Sequence, residues 1–322
     1  MINKNSKIFI AGHNGMVGSA ILRYFNKKKF KKLFTISKNE LDLRNQNKVD
    51  NFIKKIRPDA VILAAAKVGG IKANNEKKAE FIYDNLSIQN NVIHSSYLNQ
   101  VKNLIFLGSS CVYPKYSKIH ISEGDLLSDY LEKTNEPYAI AKIAGIKMCE
   151  SYNFQYGVNY KCLMPCNSYG INDNYDPSSS HFFPALIKKT IDAFRENKDH
   201  IKIWGTGKPL RELIYADDIA DACFYFLKKK TKHTLINIGT GFDKSINFYA
   251  NFIMKHLGVK LKIIHERQKL EGTYRKVLNV NLAKNYGWTY RTTLDEGLSH
   301  TINDYLQNKI LIKKQQDKYK SK

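Results

Sequence analysis

The stretch KIFIAGHNGMVGSA, residues 7–20, decides how the chain is read. KIFIA is a short apolar run of strand length. Glycine then returns at every third position, Gly12, Gly15 and Gly18, before a helical pattern opens. Glycines at a strand-to-helix turn permit a tight bend and close backbone approach, and the helix start offers free N–H groups to a pyrophosphate. The turn is therefore read as a dinucleotide-binding loop made by Gly12, Asn14, Gly15, Met16, Val17 and Gly18, although its spacing is GxxGxxG rather than GxGxxG.

Outward from this loop the same alternation repeats. LFTIS (33–37), AVILAAA (60–66), NLIFLGSS (103–110) and YKCLMP (160–165) are nearly continuous in apolar residues, as parallel strands covered on both faces are. Helical patterns lie between them near 16–29, 45–57, 74–100 and 137–156. The fold class expected is α/β: a doubly wound parallel sheet of the Rossmann type with a smaller α/β cap. Residues 1–165 form the cofactor-binding domain in this reading. The Asn-, Ser- and Pro-rich loop NSYGINDNYDPSSSHFFP then opens a substrate domain over 166–310, with helices at 184–196, 245–257 and 294–307 and the strands IKIWG and LKIIHE. LINIGTG (235–241) again reads as a buried strand, so the chain is expected to return to the first domain around 213–243. The basic tail 311–322 is expected to be disordered.

At the end of the second strand, TISKNELDL, a basic residue accommodates the 2′-phosphate of NADP, whereas an acidic one selects NAD. Lys38 fits the first case, and Asp42 stands where it can meet adenine. Ala64 and Ala65, closing the third strand, complete the cofactor candidates.

Composition excludes other classes. The 322 residues carry 52 basic and 29 acidic side chains, a formal charge of +23, but the lysines are spread along the chain and no basic helix interleaves with aromatics. Such charge speaks to solubility and to attraction of diphosphates rather than to nucleic acid. No apolar run is long enough to cross a membrane, and the amino terminus reads as a strand rather than a signal peptide. Five scattered cysteines suit a reducing cytoplasm, and Cys162 and Cys166 have no second pair to complete a metal set, so no metal is expected.

TNEPYAIAKIAG places Tyr138 and Lys142 four apart on one helix face, with Pro137 in the first turn. A phenol whose proton affinity is tuned by an ammonium is a suitable acid for carbonyl chemistry. Ser109 ends the fourth strand in LGSSCVYPK (107–115), where a cysteine follows the two serines.

These motifs, together with AAAKVGGIKANN, SSSHFFPAL and GTGKPLRELIYADDIA, make the chain resemble the extended short-chain dehydrogenase/reductases and, within them, the GDP-L-fucose synthase group, over about residues 7–307. The resemblance implies NADPH-dependent reduction of a GDP-4-keto sugar with epimerisation at C3 and C5, and a homodimer with a helical interface. It assigns Ser109, Tyr138 and Lys142 to reduction and Cys111 and His181 to epimerisation. It places Asn167, His181, Lys189, Trp204, Arg211 and Lys276 around the GDP-sugar. The chain departs from the pattern at Asn14 and Lys189, where arginine is usual, in MPCNSYG, where Cys166 and Ser168 stand near the expected sugar site, and at Phe182, where a smaller aliphatic residue is usual. These departures leave room for another sugar, such as a GDP-4-keto-heptose, or for reduction without epimerisation. A nucleotide-sugar dehydratase or 4-epimerase would share the loop and the Tyr–Lys pair, but a dehydratase would carry a Thr-Asp-Glu cluster in place of SSCVY. A non-catalytic NADP sensor would lack the pair.

Overall fold

The apolar runs of the amino-terminal half pair side by side as parallel strands. The computed structural model describes residues 2–269 and 272–320. In it, β1 (Lys7–Ala11), β2 (Lys32–Phe34), β3 (Ala60–Leu63), β4 (Asn103–Leu107) and β5 (Asn159–Pro165) lie in the order β2-β1-β3-β4-β5. The register aligns Ala11, Leu63, Phe106 and Cys162 across four of them. Phe9, Val61, Leu104 and Leu163 are fully buried, which explains why these runs show no polar alternation. Helices α1 (Met16–Lys27), α2 (Gln46–Ile56), α3 (Ile71–Glu76), α4 (Lys78–Leu98) and α5 (Glu136–Tyr156) connect them. The helix expected over 74–100 is two helices, because Lys77 leaves helical geometry (φ −115°, ψ 41°) between α3 and α4. Asn45 caps α2 by accepting the Lys48 N–H, and Gly157 ends α5 in the left-handed region.

Beyond β5 the chain crosses into a second layer through β6 (Asn167–Tyr169), α6 (Phe182–Arg195), β7 (His200–Trp204) and β8 (Leu210–Tyr215). It returns through α7 (Ala216–Lys228), which packs on α1, and β9 (Leu235–Ile238), which joins the free edge of β5 in parallel. The remainder runs through β10 (Asp243–Ser245), α8 (Ile246–His256), β11 (Lys262–Glu266), β12 (Arg275–Lys276), α9 (Asn281–Asn285) and α10 (Leu294–Lys320). β8 is the centre of a small sheet with β6, β10 and β12, while β11 pairs with β7.

Two apolar cores result. One surrounds the six-stranded sheet and also takes in Trp288 and Val280 from the late chain. The other gathers Phe183, Ile187, Ile201, Leu213, Tyr249, Ile253, Leu298 and Tyr305. The segment expected to be disordered from 311 has a helical backbone as far as Lys320, as a stretch free of glycine and proline and rich in lysine and glutamine favours. Ser321 and Lys322, the end of that tail, lie outside the described residues.

Candidate active site

Gly12 closes β1 where its neighbours diverge, β2 to one side and β3 to the other, and ligands of such sheets bind at this switch point. Its φ of +92° disfavours any side chain, and a β-carbon there would stand 2.6 Å from the Ala65 nitrogen. A β-carbon on Gly18 would stand 1.9 Å from the Gly12 carbonyl oxygen, so α1 packs directly on the turn. Around Gly15, by contrast, the nearest atom is 3.6 Å away. Gly15 begins α1 with no side-chain cap and no acidic residue in the first turn, which leaves the first amides for an anion. The buried His13 Nδ1 in the same loop has no partner. Ala64 and Ala65 form the wall behind Gly12. The cradle fits a dinucleotide.

Farther along that edge, Lys38 is exposed and close enough to Asp42 to help lower its pKa. The larger cause is a residue the sequence reading passed over. Arg44 grips both Asp42 oxygens, with Nη2 at 2.6 Å, and reaches Asp84 at 2.9 Å; Asp42 is held at about 2. Asp42 is thus committed to a guanidinium. Asn14 is tied through its backbone: its carbonyl accepts the Asn172 side-chain amide at 2.9 Å, linking the glycine loop to the second layer.

At the end of β4, Ser109 caps a short turn over Ser110–Val112 by accepting the Cys111 N–H at 3.3 Å. Tyr138 rises from α5 to meet it, its phenol hydrogen-bonded with Ser109 and near the Cys111 thiol. One turn on, Lys142 Nζ donates to the Leu107 carbonyl at 2.9 Å and lies 4.6 Å from the Phe106 ring centre. The structure therefore brings Ser109, Cys111, Tyr138 and Lys142 together. Their electrostatics differ from the expectation. Burial raises the Tyr138 pKa, and the same burial pushes Lys142 down to about 7. A phenol that keeps its proton is a donor, which is the role reduction requires.

His181 is the residue that starts α6, in the second layer. Its ring reaches solvent, but the surrounding protein disfavours the imidazolium and lowers its pKa. Arg211 and Lys276 are register partners on β8 and β12, so two cations project from adjacent strands. Lys189 donates to the Lys202 carbonyl at 2.8 Å and sits 5.9 Å from the centre of the Trp204 ring, as does Lys269, which the sequence reading did not select. Asn167 opens β6 opposite Leu213.

Behind Arg211, the buried Glu212 carboxylate accepts N–H groups from Thr240 (2.6 Å), Gly241 (2.7 Å) and Leu278 (2.7 Å). It fixes the turn after β9 and the chain after β12 to β8. An acid in an otherwise apolar strand, LRELIY, was the available signal for it. Two of the expected sugar-facing departures point elsewhere. Cys166 is buried against Glu212, and its pKa is raised by burial and by that carboxylate. Phe182 packs on Phe183 and Tyr249 in the second core. Among the described residues no cluster of histidine, cysteine or carboxylate side chains is placed to hold a metal, and no helix is long and apolar enough to cross a membrane.

A dinucleotide loop at the switch point, with a Ser–Tyr–Lys set at the carboxyl end of the next strands, defines an oxidoreductase of short-chain dehydrogenase/reductase architecture. The chain belongs to the NAD-dependent epimerase/dehydratase family, whose model matches residues 8–239. It is 46% identical over 315 residues to the putative GDP-L-fucose synthase 2 of Arabidopsis thaliana, covering 98% of this chain and 96% of that one. It is 45% identical over 311 residues to the GDP-L-fucose synthase of Escherichia coli K12, covering 94% and 97%. Among solved structures, the GDP-mannoheptose C4 reductase of Campylobacter jejuni with NADP bound superposes with a TM-score of 0.86 at 36% identity, covering 95% of this chain and 99% of that chain.

Proposed function

We propose that the chain is an NADPH-dependent reductase of the C4 ketone of a GDP-4-keto sugar that also epimerises C3 and C5. The substrate is GDP-4-keto-6-deoxymannose or a related GDP-4-keto-heptose. The observation that carries this reading is the convergence of Ser109, Cys111, Tyr138 and Lys142 beside the glycine cradle. Residues 1–165 with 213–243 bind cofactor, and most of 166–310 binds the nucleotide sugar.

The loop Gly12–Gly18, with Lys38 toward the 2′-phosphate, would hold NADPH, which would supply a hydride for C4. Ser109 and Tyr138 hydrogen-bond the C4 oxygen, and the buried phenol delivers the proton that balances the hydride. Lys142 holds the nicotinamide ribose. Hydrogens on C3 and C5 flank the ketone, so their removal leaves an enolate on the same oxygen. Inversion needs a proton taken from one face and another given to the opposite face, and the family resemblance implies Cys111 and His181 as that pair. Asn167, Lys189, Trp204, Arg211 and Lys276 hold the GDP, Arg211 through the bidentate fork that suits a diphosphate. The five cysteines are all free, which fits a cytoplasmic enzyme supplying sugars for surface polysaccharide. The outward side chains of α4 and α5, including Tyr83 and Ile140, suit a homodimer interface.

The test is mass spectrometry of GDP-4-keto-6-deoxymannose with the enzyme in D2O, without NADPH. A gain of one or two mass units, lost in Cys111→Ala, is expected. No gain over an enzyme-free control would remove the epimerase role on this substrate, and NADPH consumption on addition would then identify a reductase alone.

A further inference from the structure

We infer that the turn Gly69–Gly70, locked by Asn74, positions His181 for proton transfer. The inference rests on the assignment of His181 as an epimerisation group. The turn belongs to KVGGIKANN (67–75) and lies between β3 and α3.

Gly70 donates its N–H to the Ser179 carbonyl at 2.9 Å. A β-carbon at residue 70 would stand 2.6 Å from the Ser180 carbonyl oxygen. Ser180 immediately precedes His181, so this is backbone lying on the backbone that carries the imidazole. No flexible side-chain end is available to yield. On its other side, a β-carbon at Gly69 would touch the Phe81 ring at 3.3 Å, and that ring packs edge-on against Tyr138 with centroids 6.4 Å apart. The turn therefore spans from the neighbour of the proton donor to the loop bearing His181.

Asn74 holds the turn in shape. Its Nδ2 donates to the Gly69 carbonyl at 2.6 Å and to the Gly70 carbonyl at 3.1 Å, and the residue is only 7% exposed. His181 needs such support because its loop, 172–180, lies outside the sheets and is organised by short turns around Asp176. A proton-transfer group must be held to a fraction of an ångström, and here the turn between β3 and α3 supplies that hold.

The variant Gly70→Ala pushes the His181 loop while leaving Ser109, Tyr138, Lys142 and the glycine cradle in place. Two rates would be read with GDP-4-keto-6-deoxymannose: deuterium uptake in D2O and NADPH oxidation, together with the ratio of epimerised to unepimerised reduced product. That ratio is independent of how much enzyme is folded. The expected result is a fall of at least tenfold in uptake relative to NADPH oxidation, with the product ratio moving the same way. Gly69→Ala, which meets a ring and a methyl group, should move it far less. If Gly70→Ala folds poorly, Asn74→Ala reads the same ratio. His181→Asn is the reference. If it loses uptake while Gly70→Ala and Asn74→Ala keep the wild-type ratio, the positioning role is overturned. If His181→Asn itself exchanges normally, the assignment of His181 falls and takes this inference with it.

Discussion

A tyrosine one helical turn from a lysine suggests a phenol pulled toward ionisation by a cation. In the folded chain desolvation is the leading cause on both side chains: the Tyr138 pKa rises and Lys142 descends to about 7. Both changes disfavour charge, which is what burial does when the partner does not make a direct ion pair. Asp173 obeys the same rule away from the chemistry. Burial, followed by the nearby Asp304 carboxylate, raises it to about 7, against the opposing N–H groups of Asn174 and Gly170, and its Oδ2 has no partner. A carboxyl with a raised folded pKa adds stability that is full below its unfolded pKa and is lost as pH climbs through the folded value. Asp173→Asn should therefore match wild type near pH 4 and become more stable by about 2 kcal/mol above pH 7, allowing for the partial exposure of the site. Urea unfolding at the two pH values checks it, and equal differences at both would refute the buried-carboxyl account.

Among the elements, the first turn and helix separate two uses of glycine that the sequence presents identically. Gly18 is needed because α1 lies on the Gly12 carbonyl, whereas Gly15 has an ordinary φ of −81° and only an ordinary contact, 3.6 Å from the Gly12 carbonyl oxygen, beside it. Gly18→Ala should destabilise the chain by about 3 kcal/mol and abolish NADPH binding, as overpacking against backbone does. Gly15→Ala should keep the melting temperature and weaken NADPH about tenfold, since its methyl group enters only the space of the pyrophosphate. Calorimetric melting with NADPH titration distinguishes them, and parallel losses in both variants would show that Gly15 is structural too. On β8, Glu212 works as a three-way acceptor for backbone amides. Glu212→Gln presents an N–H to one of these donors and should cost about 2 kcal/mol in denaturant unfolding.

At the scale of the molecule, the chain builds two apolar cores, and the late chain contributes to both. Helices α4 and α5 pack together and keep Tyr83 (66% exposed) and Ile140 (43%) facing outward. In sedimentation the chain should run at twice its own mass, and Tyr83→Glu with Ile140→Glu should halve it. A wild-type monomer would exclude the helical interface.

The sequence by itself determined the parallel sheet, the glycine loop and the Tyr–Lys pair, because each is local. Strand hydrophobicity, turn glycines and a four-residue helical spacing all act between near neighbours. LINIG also reads in the sequence as a buried strand, and in the structure β9 pairs with β5. Only the tertiary structure decided the rest. The reach of Arg44 to Asp84, the hold of Glu212 on three distant amides, the tie from Asn172 to Asn14 and the support of the His181 loop by Gly70 join residues far apart in the chain. Packing also sent Cys166 and Phe182 into cores, although their positions in sequence place them beside site residues. Such contacts depend on which surfaces the two cores bring together, and no spacing along one chain encodes that distance.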